Sequence, residues 1–159
     1  MPGEKRILWA DDEPGRLTFE ARYVRKLGSL LTWKESLFDA IGALRANPFD
    51  GLILDQMLPF DSSRPMSNVW SGCLLLRWLR GTSIPAALPP AERAAVETVW
   101  TSPPLTDNAS IPVMLVSGIY NETIQRSIRE SAHDRELHLM PKPTNRMELR
   151  RFVEKLAPV

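Results

Sequence analysis

The residues of this chain best placed to do chemistry stand where short apolar runs stop. Ile7-Leu8-Trp9-Ala10 runs into Asp11 and Asp12, and Gly51-Leu52-Ile53-Leu54 runs into Asp55. Val113-Met114-Leu115-Val116 ends at Ser117-Gly118, and Leu137-His138-Leu139-Met140 ends at Pro141-Lys142-Pro143. Carboxylates, a hydroxyl and an ammonium form an inventory suited to a hard divalent cation beside a phosphoryl group. Acids gathered at one place repel. At about 4 Å and an effective dielectric near 20, each close pair costs on the order of 4 kcal/mol, so a cation is needed to offset them. An all-oxygen ligand set with positions left for water favours Mg²⁺ over zinc. His133 and His138 lie too far from other ligand types to suggest zinc. Taken singly, each residue has a plainer use. Asp11 and Asp12 can cap a helix, Asp55 can form a turn, Ser117-Gly118 can open a loop and Lys142 can be a solvated strand end.

The elements that position these residues can be read from the pattern. Runs this short and this apolar fit strands covered on both faces, as in a parallel sheet. Strands are expected at 7–10, 29–33, 51–54, 113–116 and 137–140. Between them fall helical patterns. Leu17, Ala21 and Val24 share one face, and Gly28 ends that helix. Ser36 caps a second, with Leu37, Ile41 and Leu44 inward, and Asn47-Pro48 stops it. A third, over 72–80, buries Leu75, Leu76 and Leu79 and closes at Gly81. A polar helix over 121–132 turns Ile124 and Ile128 inward, and Asn145 caps a last helix with Leu149, Phe152, Val153 and Leu156 on one face. Strand alternating with helix implies right-handed crossovers and an α/β, doubly wound parallel sheet. In such sheets ligands bind at the carboxyl ends of the strands, where all the polar residues above fall.

Two stretches break this alternation. Residues 60–70 carry Asp, Ser, Pro and Asn without period and read as a loop. Residues 83–111 hold much of the excess among 14 prolines, yet enclose a good helical stretch over 91–100. The first stretch follows a strand, so it belongs over the acids; the second follows a helix, so it belongs at the opposite edge. Ala95, Val96 and Val99 form an apolar stripe that must pack on the domain or bind a partner. Trp9, Trp33 and Trp78 read as core.

Four motifs in this order, each after an expected strand, resemble the receiver domains of two-component response regulators. They are Asp11-Asp12, Asp55 within Leu-Asp-Gln-Met-Leu-Pro, Ser117-Gly118, and Lys142-Pro143. The resemblance implies a flavodoxin-like, five-stranded sheet in the order 2-1-3-4-5, and one receiver domain over residues 1–159 with a helix-containing insertion at about 83–111, between the third helix and the fourth strand. It implies that Asp55 takes a phosphoryl group from the phosphohistidine of a histidine kinase or phosphotransfer protein, and that the modification switches conformation. It also implies Mg²⁺ held by Asp11, Asp12, Asp55 and the Met57 carbonyl, with Ser117, Gly118 and Lys142 binding the transferred group. Such a chain assists its own phosphorylation without being an enzyme in the ordinary sense. Output would pass to a downstream protein or a homodimer. Three features depart from the family. Asp55 and Ser117 are further apart than usual, Leu139 stands where a Tyr or Phe is common, and Gly118 replaces a commoner alanine.

Composition bounds the alternatives. A net charge of +1 provides no field to draw the chain to nucleic acid or membrane. No apolar run reaches membrane-spanning length, and residues 1–6 lead straight into a strand without a signal-peptide core. One cysteine, Cys73, forbids an internal disulfide and suits a reducing, cytoplasmic setting. The chain ends just past its last helix, consistent with a stand-alone receiver or an excised domain. Two other readings compete. A receiver-like interaction module that is never phosphorylated would not need the acid cluster and Lys142. A phosphatase of the haloacid-dehalogenase type needs a second Asp two positions after the nucleophile, where this chain has Met57.

Overall fold

The computed structural model describes residues 3–61, 63, 70–118, 122–132 and 137–157. Five strands form one parallel sheet: β1 (Lys5–Ala10), β2 (Ser29–Lys34), β3 (Gly51–Asp55), β4 (Val113–Ser117) and β5 (His138–Pro141). Their spatial order is β2-β1-β3-β4-β5, as the resemblance implied. Register follows from burial: Leu8 opposes Leu52, Ile53 opposes Met114, and Val116 opposes Met140. Every residue of β3 and β4 is buried, which is why these runs read as continuous rather than alternating. Pro141 sits at the end of an edge strand, where no ladder bond is lost.

Helices cover both faces. A 3₁₀ turn (Pro14–Leu17) leads into α1 (Thr18–Lys26), which ends at Gly28 with φ of 81°. That left-handed value strains any residue with a Cβ, so the glycine terminates the helix. α2 (Leu37–Ala46) is capped by Ser36, whose hydroxyl accepts from the Asp39 N–H. α6 (Arg146–Lys155) is capped by Asn145, which accepts from the Met147 and Glu148 amides. α3 (Ser71–Leu79), α4 (Pro90–Trp100) and α5 (Glu122–Ala132) complete the set.

Two apolar layers result. Leu8, Leu52, Leu54 and Leu115 face α2, α3 and α4 through Ile41, Leu44, Leu75, Leu76 and Val96. Ile7, Trp9, Ile53, Met114 and Val116 face Val24, Leu149, Phe152, Val153 and Leu156 on the other side. Each fully buried Leu or Ile contributes roughly 1.5–3 kcal/mol against conformational entropy. Trp9 and Trp78 lie in these layers as expected, and Trp33 is half-buried, stacked on Trp9 with ring centroids 5.3 Å apart.

The connection between α3 and β4 packs on its own domain. Leu88, Ala95, Val96 and Ile111 join the first layer, with Val99 and Trp100 against it, so the apolar stripe of α4 is occupied internally. A 3₁₀ turn (Thr106–Ser110) not expected from the sequence carries Asn108, which is fully buried. Asn108 donates to the carbonyls of Leu44 and Asn47 and accepts from the Phe49 amide. Leu52 N–H donates to Pro112 O at the start of β4. These contacts hold the segment at the amino-terminal edge of β3, away from the acids, as its place after a helix required. Of the loop over 60–70, residues 62 and 64–69 lie outside the described residues. So do Tyr120, His133, the first residue expected for the 121–132 helix and the Ile124 side chain; Ile128 is buried. Phe60 is buried against Phe38, so the start of that loop rests on α2. No helix among the described residues is long and apolar enough to cross a membrane.

Candidate functional site

β1, β3, β4 and β5 each deliver one part of the site to a common edge. β1 ends at Ala10, and the next two residues are Asp11 and Asp12. The Asp11 N–H donates to Lys34 O on β2, and Trp33 Nε1 donates to the Asp11 carbonyl at 2.9 Å, so both backbone groups of Asp11 are tied to the neighbouring strand. β3 ends on Asp55 itself, next to Val116 of β4, and Ser117 follows Val116. Lys142 follows β5, and its N–H donates to Ser117 O at 2.9 Å. The Lys142–Pro143 peptide bond is cis.

A parallel register alone brings the three carboxylates together. One oxygen from each of Asp11, Asp12 and Asp55 lies within 4.8 Å of the others. Lys142 Nζ is 3.0 Å from Asp55 Oδ2 and 3.9 Å from Asp11 Oδ2. Asp55 Oδ1 accepts from the Met57 amide at 3.3 Å, and Asp11 Oδ1 accepts from the Glu13 amide at 2.9 Å. Ser117 is buried at the same edge, and Gly118, next to it, is exposed.

Burial sets the electrostatics. Asp11 is 1% exposed, and desolvation pushes its carboxyl up to about 6, against the Glu13 amide and with added repulsion from Asp55. Desolvation also raises Asp55, partly countered by the charge and hydrogen bond of Lys142. For Lys142, burial pulls the ammonium down, but Asp55 and then Asp11 and Glu13 outweigh it, and the net shift is upward. Two carboxyls raised together, with one lysine between them, describe a site short of positive charge.

The donor set fits a hard cation. Its side-chain ligand atoms are all oxygens, and the buried Asp11 Oδ2 has no hydrogen-bond partner among the described residues. A buried carboxylate oxygen without a donor is costly unless something else satisfies it. A cleft of about 600 Å³, lined by Asp11, Glu13, Arg16, Leu17, Lys142 and Thr144, opens beside the cluster. Another cavity of about 590 Å³, at the far edge between Trp78, Thr82, Trp100 and Pro103, carries no carboxylate.

The sequence placed Asp11, Asp12, Asp55, Ser117, Gly118 and Lys142 at this edge, and all of them are there. Three contributors escaped it. Trp33 read as core, yet its indole N–H serves Asp11. Ser71 is fully buried with its hydroxyl on Leu58, and its only signal in the sequence was a small polar residue just before Gly72. Gln56 is 1% exposed, and neither polar atom of its side-chain amide has a hydrogen-bond partner among the described residues. A polar residue right after Asp55 read as loop.

No family model matches the sequence, and no curated protein matches it either. The three-dimensional arrangement does have relatives among solved structures. The receiver domain of a Francisella response regulator superposes with a TM-score of 0.64 at 19% identity, over 94% of this chain and 93% of that one. The receiver domain of a sensor histidine kinase from Pseudomonas aeruginosa, solved with a magnesium ion coordinated in its active-site cleft, gives 0.65 at 17% identity, over 98% of each chain. A Burkholderia pseudomallei response regulator protein, solved with a phosphorylated aspartic acid, a calcium ion and citrate, gives 0.57 at 14% identity, over 95% of this chain and 67% of that one. Built from its own residues and ordered β2-β1-β3-β4-β5, the chain has the fold of the response regulator receiver domains.

Proposed function

We propose that this chain is a phosphoacceptor receiver whose phosphorylated residue is Asp55. One observation carries the reading. Asp55 sits at the end of the central strand, in a cluster of three carboxylates with Lys142 Nζ 3.0 Å from its Oδ2. Residues 1–159 then form one receiver domain, with 83–111 as an insertion held at the edge away from the chemistry.

Asp55 is the nucleophile. One of its oxygens forms a bond to phosphorus as the bond from phosphorus to the donor's imidazole nitrogen breaks, and the imidazole leaves with the electron pair. Asp11, Asp12 and Asp55, with the Met57 carbonyl, would hold Mg²⁺, which when bound supplies positive charge toward the carboxylates and the phosphoryl oxygens. Lys142 favours the ionised form of Asp55 before transfer, against the desolvation that raises it, and afterwards neutralises a phosphoryl oxygen. The Ser117 hydroxyl and the Gly118 N–H donate to the transferred group. Drawing Ser117 inward would repack the loop that follows it. The donor is a histidine kinase or a phosphotransfer protein, and the protein acts as a signalling acceptor rather than as an enzyme.

The test is labelling by acetyl phosphate, read as a mobility shift on a phosphate-binding gel, with beryllofluoride as the mimic. Modification is expected only with Mg²⁺ present and is abolished in Asp55→Asn. Equal labelling of Asp55→Asn overturns the assignment.

A further inference from the structure

We infer that Ser71 is a positioning residue for the metal-binding edge: through Leu58 it fixes the direction of the Met57 carbonyl. The inference rests on the receiver reading above. The turn that follows Asp55 is held at almost every backbone group. Gln56 N–H donates to Val116 O at 3.0 Å, and Gln56 O accepts from Gly72 N–H at 3.0 Å. Leu58 N–H donates to Ser71 Oγ at 2.6 Å, and Ser71 Oγ–H donates to Leu58 O at 2.8 Å. Ser71 is 0% exposed. Among the described residues, nothing donates to the Met57 carbonyl.

The geometry of the peptide unit does the rest. The Met57 carbonyl and the Leu58 N–H belong to one peptide plane, and in a trans peptide they point in opposite directions. Ser71 anchors the N–H toward the first turn of α3, so the carbonyl faces away from that turn. The Met57 amide lies 3.3 Å from Asp55 Oδ1, so the same residue sits against the carboxylate. Turning the carbonyl elsewhere means pulling the Leu58 N–H off a buried hydroxyl and leaving a buried donor unpaired.

Gly72 makes this approach possible. A Cβ at position 72 would stand 2.7 Å from Asp55 O and 2.8 Å from Gln56 Cα. Only a glycine there lets Ser71 and the start of α3 press against the turn. Ser71 and Gly72 together thus form a rigid backing for a backbone ligand, as outer partners orient ligands in metal sites generally.

A plainer role for Ser71, tethering the loop for stability alone, predicts a different outcome. Asn108 supplies the comparison, because it is equally buried and makes three hydrogen bonds at the opposite edge. Mg²⁺ titrations by calorimetry and thermal melts are run on the full chain, on Ser71→Ala, Ser71→Cys and Asn108→Ala. Ser71→Ala is expected to bind Mg²⁺ roughly 10-fold or more weakly, with Ser71→Cys between it and the parent. Asn108→Ala is expected to melt lower but to bind Mg²⁺ as the parent does. If Ser71→Ala does not fold, Ser71→Cys against Asn108→Ala decides the matter in the same way. Parental affinity in folded Ser71 variants, or equal weakening in Asn108→Ala, overturns the inference and leaves the receiver reading standing. A parent chain that takes up no Mg²⁺ overturns both.

Discussion

Replacing Asp11 with asparagine is expected to stabilise the metal-free protein at neutral pH and to remove most of its stabilisation by Mg²⁺. The reason is the cost of the buried charge. Burial lifts the Asp11 carboxyl from its ordinary 3.8 to about 6. A carboxyl bound more tightly to its proton when folded supports the fold at low pH. That support is complete below pH 3.8 and is lost as the pH rises through about 6. The gap between those two values is worth on the order of 3 kcal/mol. Asp55 shifts in the same direction and deepens the slope, while Lys142, raised above 10.5, titrates far outside this window. Asparagine keeps the oxygen that accepts from Glu13 N–H and carries no charge. In chelator at neutral pH, Asp11→Asn is therefore expected to melt higher than the parent by up to ~6–12 °C, taking 2–4 °C per kcal/mol for a chain of this size. Millimolar Mg²⁺ is expected to raise the parent as the pH passes through the window and to do little for the variant. Calorimetric melts across the acid-to-neutral range, with and without chelator, measure all of this. A variant that melts at or below the parent in chelator at neutral pH, with an unchanged slope in pH, refutes the reasoning.

Three further substitutions probe the site, its backing and an exposed control position. Lys142→Ala removes the cation 3.0 Å from Asp55 and is expected to preserve Mg²⁺ binding while slowing labelling by acetyl phosphate on the order of 100-fold; loss of all metal binding would show that Lys142 holds the cluster together. Gly72→Ala drives a methyl into backbone at 2.7 Å and is expected to cost roughly 1–3 kcal/mol, whereas Gly42→Ala, exposed within α2 with nothing within 4 Å, is expected to stabilise by up to about 1 kcal/mol. Paired melts compare them, and a shared sign would contradict the packing described here.

Contacts at the far edge of the sheet hold the long connection before β4 away from the carboxylate cluster. Asn108, Arg45 and Arg80 all bond to carbonyls at that edge: Asn108 to Leu44 and Asn47, Arg45 to Val99 and Ser102, and Arg80 to Ala109 and Ile111. Trp78 and Trp100 donate to Ser102 and Thr82. Such side chain-to-backbone bonds satisfy an irregular segment that makes no ladder of its own. They also make α4 a part of the core rather than an appendage, because Ala95 and Val96 are buried against the layer that includes Leu75 and Leu76.

The sequence by itself determined the strands, their parallel pairing and the edge at which Asp11, Asp12, Asp55, Ser117 and Lys142 meet. These follow from local rules: apolar runs of strand length, helical spacing between them, and the habit of parallel sheets to present one kind of loop at each edge. Caps at Ser36 and Asn145 and the stop at Gly28 were legible for the same reason, since each is decided within a few residues. What only the tertiary structure decided is long-range. The indole of Trp33 reaches Asp11 because β2 lies beside β1, a distance of 22 positions along the chain. Ser71 grips Leu58 across 13 positions because Gly72 lets α3 close on the turn, and Asn108 reaches Leu44 across 64. A tryptophan, a serine and an asparagine look ordinary in sequence, because a hydrogen-bonding group reveals its partner only when the fold has removed the water that would otherwise serve it.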